Sequence, residues 1–309
     1  MKIAILGATS FIAQEYVREW VLNEKKDSIH LYARSVINLN KFIEKISSNR
    51  DMLTSKLLSS FPDSETYDVI INCIGVGDPA KAKVMSECIM DVTFKYDDMV
   101  LNYLDRNRLC KYIFLSSGAA YGSDFSLPAS VNRKASFDIN NLQETEKYGL
   151  AKFMTEVKHR NLQHLSIIDV RVFNFFSRNQ DISSRFFVTD LLRAILNSTI
   201  CDVSPESMVR DYLHPKDFFQ IIDCLLNVDK LNISVDCYSL SPVDKLTLLD
   251  ALHQTYNLQW QFKSETSMIH ATGAKCNYFS KNKILERFGY KPKYSSLDTI
   301  LTEFKAILP

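Results

Sequence analysis

Apolar positions along the chain fall into two alternating rhythms. Short, nearly continuous apolar runs at Lys2–Leu6, Ile29–Ala33, Asp68–Cys73, Tyr112–Leu115 and Ser166–Val172 predict strands covered on both faces. Between them, apolar residues spaced three and four apart among charged ones predict helices over Phe11–Leu22, Ala82–Asn107 and Glu144–Arg160. The stretch leading up to Asn141 reads as irregular. This alternation predicts an α/β fold built on a doubly wound parallel sheet. Beyond Asn174 the pattern loosens. Helices near Phe187–Asn197, Pro215–Leu226, Leu246–Tyr256 and Ser296–Ile307 are interspersed with short strands. A first domain over 1–173 and a smaller mixed α/β lobe over 174–309 are expected, with a segment around 208–240 returning to the main sheet. No internal repeat or low-complexity linker interrupts the chain.

Composition narrows the function. The 309 residues carry 37 basic and 36 acidic side chains, a net charge of +1. No basic excess draws the chain to nucleic acid and no polybasic cluster holds it to a membrane surface. A phosphate-bearing ligand is therefore expected to be gripped locally, by a few placed groups. Seven scattered cysteines, none in Cys-x-x-Cys spacing, argue against a disulfide framework or a zinc site and fit a reducing compartment. The apolar stretch at the N-terminus is too short for a signal peptide, and no run approaches the roughly 20 residues of a membrane helix. A cytoplasmic location is expected, with no metal.

Five segments carry candidate chemistry. Gly7-Ala8-Thr9-Ser10-Phe11-Ile12-Ala13 joins a strand to a helix. A tight glycine turn there aims helix N-terminal amides at a pyrophosphate, which the helix dipole favours. Only Gly7 of three customary glycines is kept; Ser10 and Ala13 are small substitutes, and a plain strand-to-helix turn is the alternative. The second strand ends in Arg34-Ser35, with no acidic residue to accept bonds from the ribose of NAD. These two residues suit the 2′-phosphate of NADP; a solvent-exposed arginine is the alternative. Ser117 follows an apolar strand, where doubly wound sheets bind ligands; an ordinary polar loop is the alternative. Tyr148 and Lys152 are four apart in a good helical run, which places both on one face. A cationic Lys beside a phenol is expected to lower its pKa from about 10 toward neutrality, making it a usable acid or base. A second Tyr-x-x-x-Lys, Tyr212 to Lys216, contains Pro215 and cannot lie within one helix. Arg210 opens a polar segment and suits bidentate phosphate contact; a salt-bridged turn is the alternative.

Taken together, these segments resemble the extended short-chain dehydrogenase/reductase family, the group of nucleotide-sugar epimerases, dehydratases and 4-ketoreductases. The resemblance runs in order along nearly the whole chain. GATSFIA is similar to the family's glycine turn, and DVIINCIG (Asp68–Gly75) to the strand leading to the cofactor. SSGAAYG resembles its serine segment, Tyr148–Lys152 its Tyr-x-x-x-Lys, Arg171–Asn174 its Arg-x-x-Asn, and Arg210-Asp-Tyr its Arg-Asp-aromatic element. Tyr278-Phe-Ser-Lys281 with Phe288-Gly-Tyr-Lys-Pro292 resembles its C-terminal stretch.

The resemblance implies a Rossmann domain over 1–173 that binds a dinucleotide through Gly7, Thr9, Ser10, Phe11, Ile12, Arg34, Ser35, Cys73, Ile74 and Gly75, with Tyr148 and Lys152 on its ribose. It implies Tyr148 as catalytic acid/base, Lys152 as its partner, and Ser117 as donor to the substrate oxygen. Asn174 and Arg210 fall where the family holds the diphosphate of a sugar nucleotide. Asp91 stands where many members carry Asn, and SSGAAYG lacks the Asp-Glu pair of the dehydratases. The expected function is an NADPH-dependent reductase of a nucleotide-linked 4-keto-6-deoxy sugar, in surface-polysaccharide precursor synthesis. A 4-epimerase with tightly held NAD and a cofactor-binding protein without turnover are the alternatives. Family members commonly pair through the helices at Ala82–Asn107 and Glu144–Arg160, which implies a homodimer.

Overall fold

The first strand shows how this sequence builds its sheet. Of β1 (Lys2–Leu6), Ile3 and Ile5 point into one hydrophobic cluster and Ala4 and Leu6 into another, on the opposite face. The pleat sends alternate side chains to opposite faces, so an unbroken apolar run is the mark of a strand with helices on both sides. The same division holds for β4 (Val69–Asn72) and β5 (Lys111–Ser117): Ile71, Ile113 and Leu115 join the first cluster, Ile70, Tyr112 and Phe114 the second. The computed structural model describes residues 1–46, 50–75, 88–263 and 275–308.

Among the described residues, seven parallel strands form the main sheet. Besides those three it contains β2 (Ser28–Ala33), β3 (Leu53–Leu57), β6 (Ser166–Val172) and β11 (Asn232–Asp236). Their order is β11-β6-β5-β4-β1-β2-β3. The winding reverses between β1 and β4, and the crevice outside the C-terminal ends of these two strands is where such sheets take ligands. Helix α1 (Phe11–Leu22) and α2 (Val36–Lys45) cover one face, the former through Tyr16, Val17 and Trp20. Helix α3 (Ile89–Leu104) covers the other through Val100, Leu101 and Leu104, and packs beside α4 (Lys147–Arg160).

Helix α2 and strand β3 are additions to the expected elements. β3 reads LTSKL, is only partly buried and lies at the sheet edge, so it has neither a continuous apolar run nor a clean alternation. The long helix begins, within the described residues, at Ile89 and ends at Leu104; residues 82–87 of the expected span lie outside the described residues. Helix α4 begins at Lys147, after a single 3-10 turn over Glu144–Glu146.

After β6, the chain forms a second cluster. Helices α5 (Phe187–Leu196), α7 (Lys245–Tyr256) and α8 (Ser296–Lys305) close over it, with α6 (Pro215–Leu226) packed on the main sheet beside α1. Short strands pair in two small sheets: β7 (Asn174–Phe175) with β10 (Tyr212–Leu213), and β9 (Val209–Arg210) with both β12 (Val243–Asp244) and β14 (Asn277–Tyr278). β8 (Cys201–Val203) pairs with β13 (Trp260–Phe262).

A buried polar network ties α3, α4, β6 and β11 together. His159 lies between Asp97 and Asp169 at 2.7 and 2.6 Å. Burial alone would depress the imidazole, but the two carboxylates outweigh it and lift its pKa to about 9. Arg171 is paired with Glu156 and reaches Asp236, which also accepts from Tyr121 and Ser280. The arginine of the Arg-x-x-Asn segment and the serine of the Ser-Lys segment are thus joined through one buried carboxylate.

Candidate active site

The site lies where β1, β4 and β5 end. Gly7 adopts φ +73°, in the left-handed region, and a Cβ there would come within 2.9 Å of Ile74 N. Only glycine lets the first turn lie against Cys73 and Ile74 on the neighbouring strand end. Asn72 fixes that neighbour: its Oδ1 accepts from Ile74 N at 2.9 Å, and its Nδ2 donates to the Tyr112 hydroxyl. Ser10 is the N-cap of α1, yet its side chain makes no capping bond, and its buried Oγ has no partner among the described residues. Thr9 is exposed, while Phe11 packs edge-on against Phe175 at 5.4 Å. An unpaired hydroxyl, free helix amides and a glycine cradle fit a phosphate group. Arg34 and Ser35 are exposed at the end of β2, with Ser35 capping α2 without a side-chain bond. Gly75 sits across the crevice, where a Cβ would stand 3.4 Å from Lys152 Nζ. Cys73 is buried, and its thiol is pushed up to about 12 by burial. Asp91 is exposed in the first turn of α3.

Ser117, Tyr148 and Lys152 come together beside this crevice. Ser117 is the last residue of β5; its Oγ accepts from Ala119 N at 3.2 Å and lies 3.2 Å from the Tyr278 hydroxyl. Helix α4 is seated on the following turn by Gly149, where a Cβ would meet Ala119 O at 2.3 Å. Lys152 is 2% exposed and donates to Leu115 O at 2.8 Å, with its ammonium 4.2 Å from the Phe114 ring centroid and 5.9 Å from that of Tyr148. Burial lowers its pKa to about 8, against the pull of Asp97, Cys73 and Glu156.

The expected effect of Lys152 on the phenol is not what the structure shows. Burial raises the Tyr148 pKa above 10, and the Ser117 hydroxyl is the group that acts in the opposite direction. The reason is geometric: the ammonium is tied to Leu115 O and stands off the Tyr148 ring, while the ring itself is desolvated. Tyr212, of the second Tyr-x-x-x-Lys, is buried on β10, and Lys216 is exposed in the first turn of α6, with Pro215 at its start.

Arg210, on β9, donates to Val209 O and Lys275 O, and its guanidinium lies 5.9 Å from the Tyr278 ring. Burial lowers its pKa, and no carboxylate pairs with it among the described residues. Lys275 lies over the same ring at 4.6 Å, its pKa lowered to about 8 by burial and by Arg210. Two neighbouring cations with no ion-paired acid among the described residues suit an oligo-anionic ligand. Asn174, on β7, donates to Asp211 O at 3.2 Å. Asp211 itself is structural: it accepts from Ser239 N and Ser296 Oγ. Lys275 and Tyr278 gave no functional signal in the sequence, since neither has a spacing tied to the other site residues. Tyr278 entered only within the C-terminal resemblance.

The family model described as the NAD dependent epimerase/dehydratase family matches residues 3–235. No curated protein sequence matches the chain. Solved structures with the same fold include UDP-glucose-4-epimerase from Stenotrophomonas maltophila, with bound NAD and formylated UDP-arabinopyranose. Its TM-score is 0.79 at 13% identity, over 99% of this chain and 97% of that one. UDP-glucose 4-epimerase from Bifidobacterium longum, in complex with NAD+ and UDP, gives 0.78 at 16% identity, covering 98% and 97%. dTDP-glucose 4,6-dehydratase from Bacillus anthracis str. Ames, in complex with NAD, gives 0.74 at 14%, covering 99% and 96%.

Proposed function

The chain belongs to the NAD-dependent epimerase/dehydratase family, and from that we propose that it transfers a hydride at C4 of a nucleotide-linked sugar. The observation that carries this reading is the meeting of Ser117, Tyr148 and Lys152 at the end of β5, beside the Gly7 turn. A bound nicotinamide dinucleotide supplies or accepts the hydride. Gly7, Thr9, Ser10, Phe11 and Ile12 hold its pyrophosphate at the start of α1, with Cys73, Ile74 and Gly75 forming the facing wall. Lys152 spends one N–H on Leu115 O and keeps two for the ribose. Tyr148, whose proton is held by burial, donates it to the sugar oxygen in the reducing direction. Ser117 donates a hydrogen bond to the same oxygen as negative charge develops there. Arg210 and Lys275 grip the diphosphate, and Asn174 stands beside them.

Arg34 at the end of β2, where NAD-specific chains place an acid, favours NADP and net reduction of a 4-keto-6-deoxy sugar. Such a product suits a surface-polysaccharide precursor. The second reading is a 4-epimerase with retained NAD, favoured by the fold neighbours that are 4-epimerases bound to NAD. Mass spectrometry of the nucleotide that co-purifies, followed by turnover of UDP- and dTDP-linked sugars, tests both. Stoichiometric NAD with interconversion of C4 epimers selects the epimerase; an exchangeable NADPH consumed against a 4-keto sugar selects the reductase. No dinucleotide binding at all would overturn both. The exposed Met154 and Val157 on α4 suit pairing of two chains through α3 and α4, which light scattering at micromolar concentration checks.

A further inference from the structure

Ser117 faces more groups than a hydroxyl can serve without its proton being assigned. A serine oxygen has one proton to give and two lone pairs to fill. The Ala119 N–H takes one lone pair at 3.2 Å, and the Tyr278 hydroxyl stands 3.2 Å away on another side. Tyr278 is placed by packing. Its ring lies 4.8 Å from that of Phe125 and 5.1 Å from that of Phe173, with Lys275 over its face. Phe173 in turn presses on the serine turn, where a Cβ on Gly118 would meet its ring at 2.4 Å.

We propose that Tyr278 is a positioning residue: its phenol donates to Ser117 Oγ and, with Ala119 N–H, fills both lone pairs of that oxygen. Ser117 is then left with one use for its own proton, donation to the Tyr148 oxygen or to the substrate oxygen that replaces it. Burial raises the Tyr278 pKa well above 10, so the phenol keeps its proton at any working pH.

The inference rests on Ser117 and Tyr148 as the reacting pair, so its test is separated from turnover. Tyr148 ionisation is followed by tyrosinate absorbance, as the difference between a chain and the same chain carrying Tyr148→Phe. The other titratable groups near Tyr148 are Lys152 and Tyr278, with Cys73 beside Lys152 and Arg210 and Lys275 behind Tyr278; all but Tyr278 are kept in every variant. Tyr278→Phe keeps the ring and removes the hydroxyl. It is expected to raise the Tyr148 pKa by about half a unit to one unit and, on a nucleotide sugar, to lower kcat about tenfold with KM unchanged. In a Ser117→Ala background, Tyr278→Phe is expected to add no further loss, because its effect runs through that oxygen. Ser117→Ala alone must also raise the Tyr148 pKa, and this holds even where Tyr278→Phe fails to fold. A Tyr148 pKa unchanged in Tyr278→Phe, lowered in Ser117→Ala, or losses that add in the double variant would overturn the proposal. A shifted titration with no turnover of any nucleotide sugar would leave it standing and fell the functional reading instead.

Discussion

Replacing Lys152 by methionine is expected to stabilise the protein while ending its chemistry. Lys152 is 2% exposed, and burial takes its ammonium from 10.5 to about 8 even with Asp97, Cys73 and Glu156 pulling the other way. At 1.36 kcal/mol per pKa unit, the fold disfavours the charged form by about 3 kcal/mol. Methionine is of similar length and uncharged, but it loses the 2.8 Å hydrogen bond to Leu115 O, which contributes about 1 kcal/mol. The net gain is about 2 kcal/mol, or roughly 4 °C in Tm for a chain of this size. Proton counting gives the pH dependence. Between pH 8 and 10.5 the unfolded chain binds more protons than the folded one, so the parent gains stability as pH rises through that window. Its penalty is complete below pH 8 and gone above 10.5. The advantage of Lys152→Met is therefore greatest at pH 7 and shrinks toward pH 10. Thermal melts of the dinucleotide-free proteins at both pH values measure it. A variant less stable than the parent at pH 7, or an advantage that does not change with pH, would refute the reasoning.

Tyr148→Phe is expected to lower turnover by about 10²–10⁴ with dinucleotide affinity unchanged, and Tyr212→Phe to leave turnover nearly intact; steady-state kinetics showing the reverse would assign the chemistry to the wrong pair. Arg210→Ala and Lys275→Ala should each raise KM for the nucleotide sugar roughly ten- to a hundredfold with kcat little changed, whereas weakened dinucleotide binding by calorimetry would move these cations to the cofactor or the fold. Glu303 is buried, which would raise its pKa, yet the Arg178 fork at 2.7 and 2.9 Å and the neighbouring His214 bring it down to about 2. Its stabilisation of about 3 kcal/mol is complete above pH 4.5 and lost as pH falls through 2. Glu303→Gln should accordingly cost most near pH 7 and little near pH 2, as read from urea midpoints.

Local pattern sufficed where a residue's neighbours in sequence are also its neighbours in space. β1 and β4 were legible because strands buried on both faces need unbroken apolar runs, and the Gly7 turn because it joins such a strand to an amphipathic helix. Tyr148 and Lys152 were legible because a helix brings residues four apart onto one face, while Pro215 excluded the rival pair. The edge strand β3 was not, since an edge tolerates polar residues and leaves no period to read. Tertiary structure alone decided the electrostatics. It tied the Lys152 ammonium to Leu115 O, desolvated the Tyr148 ring and so reversed the direction expected for that phenol. It also brought Tyr278 to Ser117 across 161 positions, and Lys275 to Arg210 across 65, with nothing in between to mark either pairing. Periodicity reports the face a side chain shares with its own element; which distant element closes over that face, and with what charge, is set by how the elements pack in three dimensions.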